Sequence, residues 1–318
     1  MPTLAELPYP LLAATAVALG LAFGSFLNVV VYRLPRGQSV SHPGSRCPGC
    51  GKPIAPYDNI PVVSWLVLRG KARCCGARIS PRYPSIELLG GLLAWAILEL
   101  VVLALAPETP IWRAVLVFGV YLALGLGLIA AAFIDLEHMV LPDEITVGGT
   151  LLGIASVPIR HNVDWLQAVV GGLVGFLVVW LPFDLFYRWI RGQPGMGMGD
   201  AKLVMLAGVW FGWQGALFTL MAGAVQGTLF ALVILLVKGR IEEPDAVREE
   251  RAQMQRELEA AEGEERRRLL EELEKDPIFQ EPEAGFGRAR LAFGPFLILA
   301  ILEYMLFGEL LVSDYLLT

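Results

Sequence analysis

The chain has 318 residues, of which 55% are hydrophobic and only 18% are charged, and its mean hydropathy is +0.58. A soluble protein of this length is rarely so apolar, whereas a bilayer-spanning helix needs windows of about 20 apolar residues, and such windows recur here. The net charge of -6 hides a segregation of charge, because sixteen of the 31 acidic residues lie between residues 242 and 283.

Eight apolar segments are predicted to cross the membrane, so the predicted fold class is an all-α polytopic membrane protein with about eight spans. They cover residues 9–32, 84–106, 112–134, 142–158, 165–187, 200–212, 214–237 and 291–312. The first segment is not expected to be a cleavable signal sequence, because it lacks a basic start and is too long. The predicted organisation is helix one in 1–32, a cysteine-rich segment in 33–83, helices two to seven in 84–237, a charged insertion in 238–290, and helix eight with the C-terminus in 291–318.

Basic residues predict the orientation of these helices. Nine basic residues and a single acid lie between Arg33 and Arg82, and such an excess marks the cytoplasmic side. We therefore expect both termini outside, with the cysteine-rich segment and the charged insertion in the cytoplasm. Lipid phosphate and topology explain the basic stretch more simply than nucleic acid does, so membrane lipid is an expected partner and nucleic acid is not.

All four cysteines, Cys47, Cys50, Cys74 and Cys75, lie in the predicted cytoplasmic segment. Thiols stay reduced there, so a disulfide framework is not expected. Cys47 and Cys50 form a Cys-x-x-Cys turn of the kind that supplies half of a zinc site. Because Cys74 and Cys75 are adjacent, either both bind the metal with local strain or one is a spectator that His42 replaces. Ordinary buried thiols are the alternative; we prefer a structural zinc site, because the segment lacks a core of its own.

The charged insertion is predicted to be an exposed helical segment. Opposite charges recur three and four residues apart within residues 240–284, which stabilises a solvated helix. The apolar positions of the insertion are too few for a long coiled coil. A partner-docking arm is the alternative, and we prefer the solvated helix.

Two aspartates lie at the predicted cytoplasmic ends of spans: Asp135 follows one apolar run and Asp200 opens another. Ionisable groups beside lipid are costly, so they usually face a polar cavity and act there. Two carboxylates that face one cavity can share a proton, one as acid and one as base, and so activate a water for peptide hydrolysis. Asp143 has a simpler explanation, because Pro142 places it near a helix N-terminus, where negative charge is stabilised.

Gly195, Gly197 and Gly199 alternate with methionines directly before Asp200. Glycines let an extended backbone lie close to another chain, so a peptide substrate could pair with this loop as an added β-strand. A flexible turn with Asp200 as helix N-cap explains the pattern equally well.

Three functional classes compete at this point. No His-Glu-x-x-His helix occurs in the sequence, which argues against a metalloprotease. A transporter whose carboxylates carry protons or cations is the main rival to a protease. A membrane scaffold that only binds partners is the third class.

Several motifs taken together resemble the type IV prepilin leader peptidases, which are bifunctional prepilin peptidases/N-methyltransferases. The motifs are Gly24-Ser-Phe-Leu-Asn-Val-Val-Val-Tyr-Arg-Leu-Pro35, Cys47-Pro-Gly-Cys50, Asn59-Ile-Pro-Val-Val-Ser64, Leu-Arg-Gly-Lys71, Ile79-Ser-Pro-Arg-Tyr-Pro84 with Glu87, Asp135 with Leu-Pro-Asp143, Gly-Met-Gly-Asp200-Ala-Lys-Leu and Phe293-Gly-Pro-Phe296. They are spread over nearly the whole chain, and together they are specific where any one alone would be weak.

The resemblance implies an intramembrane aspartic protease of the Gly-x-Gly-Asp type, with Asp135 and Asp200 as the catalytic pair. It implies that basic leader peptides are cleaved from prepilins or pseudopilins at the bacterial inner membrane. It also implies that the new N-terminal residue is methylated, with S-adenosyl-L-methionine as the methyl donor. No Rossmann-type glycine pattern marks a donor site, so no residue is assigned to it.

The resemblance also implies that the cysteine-rich segment binds zinc, with two departures from the family pattern. Ala72 stands where the family's second Cys-x-x-Cys pair begins, so Cys74 becomes the fourth candidate ligand beside Cys47, Cys50 and Cys75. The charged insertion before Phe293 is unusually long, and no activity is assigned to it.

Overall fold

The fold is helical throughout the part of the chain that a computed structural model describes, residues 3–191, 197–238, 245–261, 263–275 and 291–316. Within these residues there are isolated β-bridges but no strands. The chain forms two compact units. The first comprises Met1–Ala130, Leu151–Trp165 and Leu302–Thr318, and the second comprises Ala131–Thr150 and Leu166–Ile301. The predicted all-α class is confirmed, and the division into five successive segments stays a prediction.

The N-terminal half begins with a long apolar helix and a cysteine-rich connection. Its helices are α1 (Tyr9–Arg33), the short α2 (Val63–Val67), α3 (Arg82–Ile97, continued by a π-turn over Leu98–Val102) and α4 (Ile111–His138). The backbones of α1 and α3 touch in the first unit, because a Cβ at Gly20 or at Gly90 would strike the carbonyl oxygen of the other glycine. Contact through small residues is how helices in lipid pack tightly, since lipid already solvates their apolar side chains.

The next four helices lie mostly in the second unit. They are α5 (Asp143–Ser156), α6 (Trp165–Val179, continued by a π-turn over Trp180–Phe186), α7 (Tyr187–Arg191) and α8 (Met198–Lys238). The core of this unit is the first half of α8, where Leu203, Leu206 and Trp210 are fully buried. Trp210 also fixes α5, because its indole N–H donates to the Gly149 carbonyl at 2.9 Å.

The range given for α8 contains two helices, which correspond to two predicted spans. Gly212 has φ 73 and ψ -176 inside it, a conformation that is outside the helical region and that favours glycine. The helix axis therefore breaks at the boundary between the predicted segments 200–212 and 214–237. Both segments are therefore helical as predicted, and they are two helices that meet at Gly212.

The charged insertion contains helices α9 (Asp245–Ala260) and α10 (Gly263–Lys275), and the last apolar helix is α11 (Gly294–Leu316). The helical prediction is confirmed over α9 and α10, and most of their described side chains are exposed, whereas Val247 is buried. The remainder of the insertion, residues 239–244, 262 and 276–290, lies outside the described residues.

Five described helices are long and apolar enough to cross a membrane: Tyr9–Arg36, Arg82–Val102, Ile111–His138, Trp165–Phe186 and Met198–Val237. A shorter apolar helix covers Gly294–Gly308. The 14 residues of α5 extend about 21 Å at 1.5 Å per residue, which is less than the roughly 30 Å of a hydrocarbon core. All eight predicted segments are thus helical, and the chain is a polytopic membrane protein.

Candidate active site and candidate metal centre

Asp135 lies in the last turn of α4, and its side chain is only 5% exposed. Directly after the helix, Met139 takes a φ of 54, a left-handed value that is uncommon without glycine and that turns the chain away from the helix. The backbone N–H of Gly294, the first residue of α11, donates a hydrogen bond to the Asp135 carboxylate. Oδ2 of Asp135 is buried and has no hydrogen-bond partner among the described residues.

Asp200 lies in the first turn of α8, which begins at Met198. Of the two interpretations of this segment, the one with Asp200 as helix N-cap does not hold, because Gly197 occupies that position. The Asp200 carboxylate instead accepts a hydrogen bond from the backbone N–H of Gly197, three residues earlier. This is the reciprocal half of a capping box, in which an acidic third residue satisfies the N–H that the helix leaves open.

The two aspartates come together within the second unit. Their carboxylates are close enough for their charges to interact. Leu141 fills the space beside them, because a Cβ at Gly199 would lie 3.0 Å from its Cβ and a Cβ at Gly294 would lie 3.2 Å from its Cδ2. The predicted pair is thus formed by the end of α4 and the start of α8, and the start of α11 lies beside it.

The glycines before Asp200 differ in their surroundings. A Cβ at Gly199 would crowd Leu141, whereas the nearest atom to a Cβ at Gly197 is Oδ2 of Asp200 at 3.5 Å, an ordinary contact distance. Gly195 lies outside the described residues. Close packing therefore accounts for Gly199, and the suggested pairing of the loop with a peptide stays a prediction.

A third carboxylate, Asp143, forms an ion pair at the start of α5. Asp143 starts α5, as predicted, and both of its carboxylate oxygens accept hydrogen bonds from Nζ of Lys202, at 2.6 and 2.9 Å. This ion pair joins the start of α5 to the first turns of α8. The ion pair with Lys202 gives Asp143 a structural explanation.

The cysteine-rich segment contains two turns of the same construction. In the first, Cys47 N–H donates to the Lys52 carbonyl and Gly51 N–H donates to the Cys47 carbonyl; in the second, Ala72 N–H donates to the Ala77 carbonyl and Gly76 N–H donates to the Ala72 carbonyl. Both glycines have a φ of 70, which only glycine adopts without strain. Ala72 therefore corresponds to Cys47, Cys74 to Gly49 and Cys75 to Cys50.

These turns bring the four cysteines into one cluster. All four sulfur atoms lie within 4.8 Å of one another, with Cys50 and Cys74 at 3.3 Å and Cys47 and Cys75 at 3.6 Å. Four sulfurs placed tetrahedrally around zinc, at about 2.3 Å from it, are about 3.8 Å apart. The cluster thus has the size of a four-thiolate metal site. His42 is not part of it, and its Nδ1 lies beside the Ser41 hydroxyl instead.

The electrostatics of the cluster favour a bound cation. Backbone N–H groups of Gly49 and Cys50 lower the pKa of the Cys47 thiol to about 6. The neighbouring thiols of Cys50 and then Cys47 raise the pKa of Cys74 to about 12. The Cys47 thiol thus ionises readily, whereas the Cys74 thiol resists ionisation, because a thiolate at Cys74 would be repelled by the thiolate of Cys47. A bound metal cation would offset the repulsion between neighbouring thiolates, since cysteines bind metal as thiolates and release their protons on binding.

Two contacts hold the cysteine-rich segment in place. The guanidinium of Arg73 binds the Asp58 carboxylate, with a nitrogen–oxygen distance of 2.9 Å. The Glu87 carboxylate on α3 accepts the Val62 backbone N–H at 2.7 Å, where Val62 has a φ of 62. That φ is unfavourable for a β-branched residue, so the Glu87 contact stabilises a strained loop. The Asn59–Ser64 motif and Glu87 thereby gain a structural explanation.

Comparison with known proteins identifies relatives of both parts of the chain. Residues 18–100 match the family described as Bacterial Peptidase A24 N-terminal domain, and residues 122–232 match the Type IV leader peptidase family. Relatives named Prepilin leader peptidase/N-methyltransferase include those of Myxococcus xanthus, 40% identical, Klebsiella pneumoniae, 40%, and Stutzerimonas stutzeri, 36%. The matches cover 73%, 65% and 69% of this chain and 65%, 88% and 80% of the relatives, respectively. No solved structure matches the chain.

Proposed function

The chain belongs to the type IV leader peptidase family, and from this premise we propose that it removes the leader peptide of type IV prepilins or pseudopilins and methylates the new N-terminal residue. The relatives' shared name supports both activities. The observation that carries the peptidase half is the convergence of Asp135 and Asp200 in one site. Because the relatives are named as enzymes, the transporter and scaffold alternatives lose their support.

Asp135 and Asp200 act as a proton-sharing pair in this proposal. One carboxylate takes a proton from a water while the water oxygen bonds to the scissile carbonyl carbon. The protonated partner stabilises the developing oxyanion and then donates its proton to the leaving amine as the C–N bond breaks. Two carboxylates this close cannot both ionise easily, so they titrate as a coupled pair. The support is their charge interaction, the burial of Asp135 and its unpartnered Oδ2.

The four cysteines are proposed to hold a structural zinc ion. Their sulfur separations and the lowered pKa of Cys47 support this assignment. Bound zinc would crosslink the two turns, because a segment with so little core of its own gains its folding free energy from the metal. Cys74 is the fourth ligand in this proposal, and it replaces the cysteine that is missing at position 72.

Methylation is proposed to use S-adenosyl-L-methionine, which would supply the methyl group to the amine that cleavage releases. The relatives' name supports this activity, and no residue is assigned to the donor.

The proposed membrane placement follows the distribution of charge. We propose an inner-membrane protein with both termini outside, and with the cysteine-rich segment and the charged insertion in the cytoplasm, where basic residues meet anionic lipid. Reporter fusions within α9 and at the C-terminus test that orientation, and equal exposure of both to one side contradicts it.

The peptidase proposal is tested on a synthetic prepilin incubated with the purified protein and methyl donor, with mass spectrometry of the products. D135N and D200N are each expected to abolish cleavage while zinc content stays unchanged. E144Q is the matched control, because Glu144 is an exposed carboxylate at the start of α5, and it should cleave normally. Full cleavage by either aspartate variant would remove that residue from the mechanism.

The two activities are separated by a second substrate. A peptide that already has the mature N-terminus bypasses cleavage, so D135N and D200N should still methylate it. Absence of methyl transfer to this peptide by the unsubstituted protein, under conditions where prepilin is cleaved, would restrict the function to proteolysis.

A further inference from the structure

The start of α11 is held firmly against α8. A Cβ at Gly223 would lie 2.8 Å from Cδ2 of Leu297, and a Cβ at Gly227 would lie 3.2 Å from the Phe293 ring. Two glycines one helical turn apart thus form a shallow surface into which the first turn of α11 fits. Contacts this close leave α11 little freedom to shift, and they fix the position of Gly294, its first residue.

Gly294 meets the Asp135 carboxylate in two ways. Its backbone N–H donates a hydrogen bond to that carboxylate. Its missing side chain leaves the space that the carboxylate occupies, because a Cβ at Gly294 would lie 2.6 Å from Oδ2 and 3.1 Å from Cγ of Asp135. Its φ is not left-handed, so close approach to Asp135, and not backbone conformation, requires glycine here.

One carboxylate oxygen of Asp135, Oδ2, can accept a hydrogen bond from a donor that is not part of the protein. The side chain is 5% exposed, and its Oδ2 has no hydrogen-bond partner among the described residues. A buried polar atom without a partner is costly and uncommon in folded proteins. The attacking water of the proposed reaction is a donor that would satisfy this atom.

We propose that Gly294 is a positioning residue of the peptidase: its N–H holds the Asp135 carboxylate, and its lack of a side chain keeps Oδ2 free of a methyl contact, so that this atom can accept a hydrogen bond from the attacking water. This inference rests on the proposed role of Asp135. It gives the Phe293-Gly-Pro-Phe296 motif a function that the sequence alone did not supply, and it makes α11 the third element of the site beside α4 and α8.

The test is the steady-state kinetics of prepilin cleavage by Gly294→Ala. We expect kcat to fall about 100-fold, the cost of displacing a reacting group by about 1 Å. The KM should stay unchanged, because Gly294 acts through Asp135 and not on the peptide. Gly148→Ala is the matched control: it adds the same methyl group to a helical glycine with no atom within 4 Å of the new Cβ. The control should keep its kcat.

A double variant separates positioning from general crowding. Leu141→Ala removes the other neighbour of the new methyl group, so it should restore folding if G294A alone folds poorly, while the clash with Asp135 remains. We therefore expect G294A/L141A to be folded and to keep the low kcat. An unchanged kcat in G294A, or recovery of kcat in the double variant, would overturn the inference. Full cleavage by D135N would instead refute the proposed function itself.

Discussion

Replacing Cys74 by serine is the sharpest test of the metal centre, because Cys74 lies at a position where the matching turn has a glycine. Its sulfur is 3.3 Å from that of Cys50, and all four sulfurs fall within 4.8 Å of one another. No other thiol in the chain can replace it, since the chain has only four cysteines. Loss of even an outer-shell partner weakens metal binding about 10- to 100-fold. Loss of a direct ligand should therefore lower zinc affinity by more than about 100-fold.

The matched variant moves the thiol back to the position that the repeated turn predicts. Ala72 has the same backbone hydrogen bonds as Cys47, so A72C/C74S should rebuild a pair of Cys-x-x-Cys turns and recover zinc. The assay is metal content after purification, followed by competition with a chelator of known affinity. Full zinc retention by C74S would show that Cys74 is a spectator. A double variant that stays zinc-poor would refute the equivalence of positions 72 and 47.

Three further predictions concern the second unit and the insertion. G199A should lower the rate of peptide cleavage by about 10- to 100-fold, because the added methyl group would displace Leu141 beside the reacting groups. G197A should keep most of the activity. The opposite order in a peptide-cleavage assay would indicate that the loop contacts the substrate directly. D143N should lower the free energy of unfolding by less than about 1 kcal/mol, since the ion pair with Lys202 is partly exposed. The charge swap D143K/K202D should recover thermal stability. A larger loss that the swap does not recover would contradict a simple ion pair. Deletion of residues 245–275 should leave cleavage intact in the same assay, and loss of cleavage with a normal melting temperature would assign the insertion a role in substrate handling.

The helices were largely predictable from the sequence because each carries a continuous apolar run. The two spans predicted on either side of residue 213 are both helical, and they meet at Gly212, whose φ of 73 lies outside the helical region. Apolar length alone does not show how two such helices are connected, because the connection depends on the backbone conformation of one glycine. The orientation rests on charge alone and stays a prediction.

The candidate sites were predictable to different degrees. Asp135 and Asp200 stood out because carboxylates next to apolar runs are rare, and the structure brings them together. The sequence left open whether Asp200 caps its helix, and the structure places Gly197 in that position instead. The place of Cys74 in the sulfur cluster was uncertain from spacing alone; it became clear when the repeated backbone hydrogen bonds aligned Ala72 with Cys47. The contribution of Gly294 was missed, since a contact 159 positions away from Asp135 leaves no local pattern.

The position of Gly294 also explains how the chain accommodates a long charged insertion directly before its last helix. If the connecting chain positioned α11, an insertion of this length would displace Gly294 from Asp135. The start of α11 is instead fixed by its own packing on α8, including the rings of Phe230 and Phe296, whose centroids are 5.2 Å apart. Because the entropic cost of a flexible connection grows only slowly with its length, this packing can hold the helix whatever precedes it. We therefore expect the geometry beside Asp135 to be unchanged when the insertion is shortened.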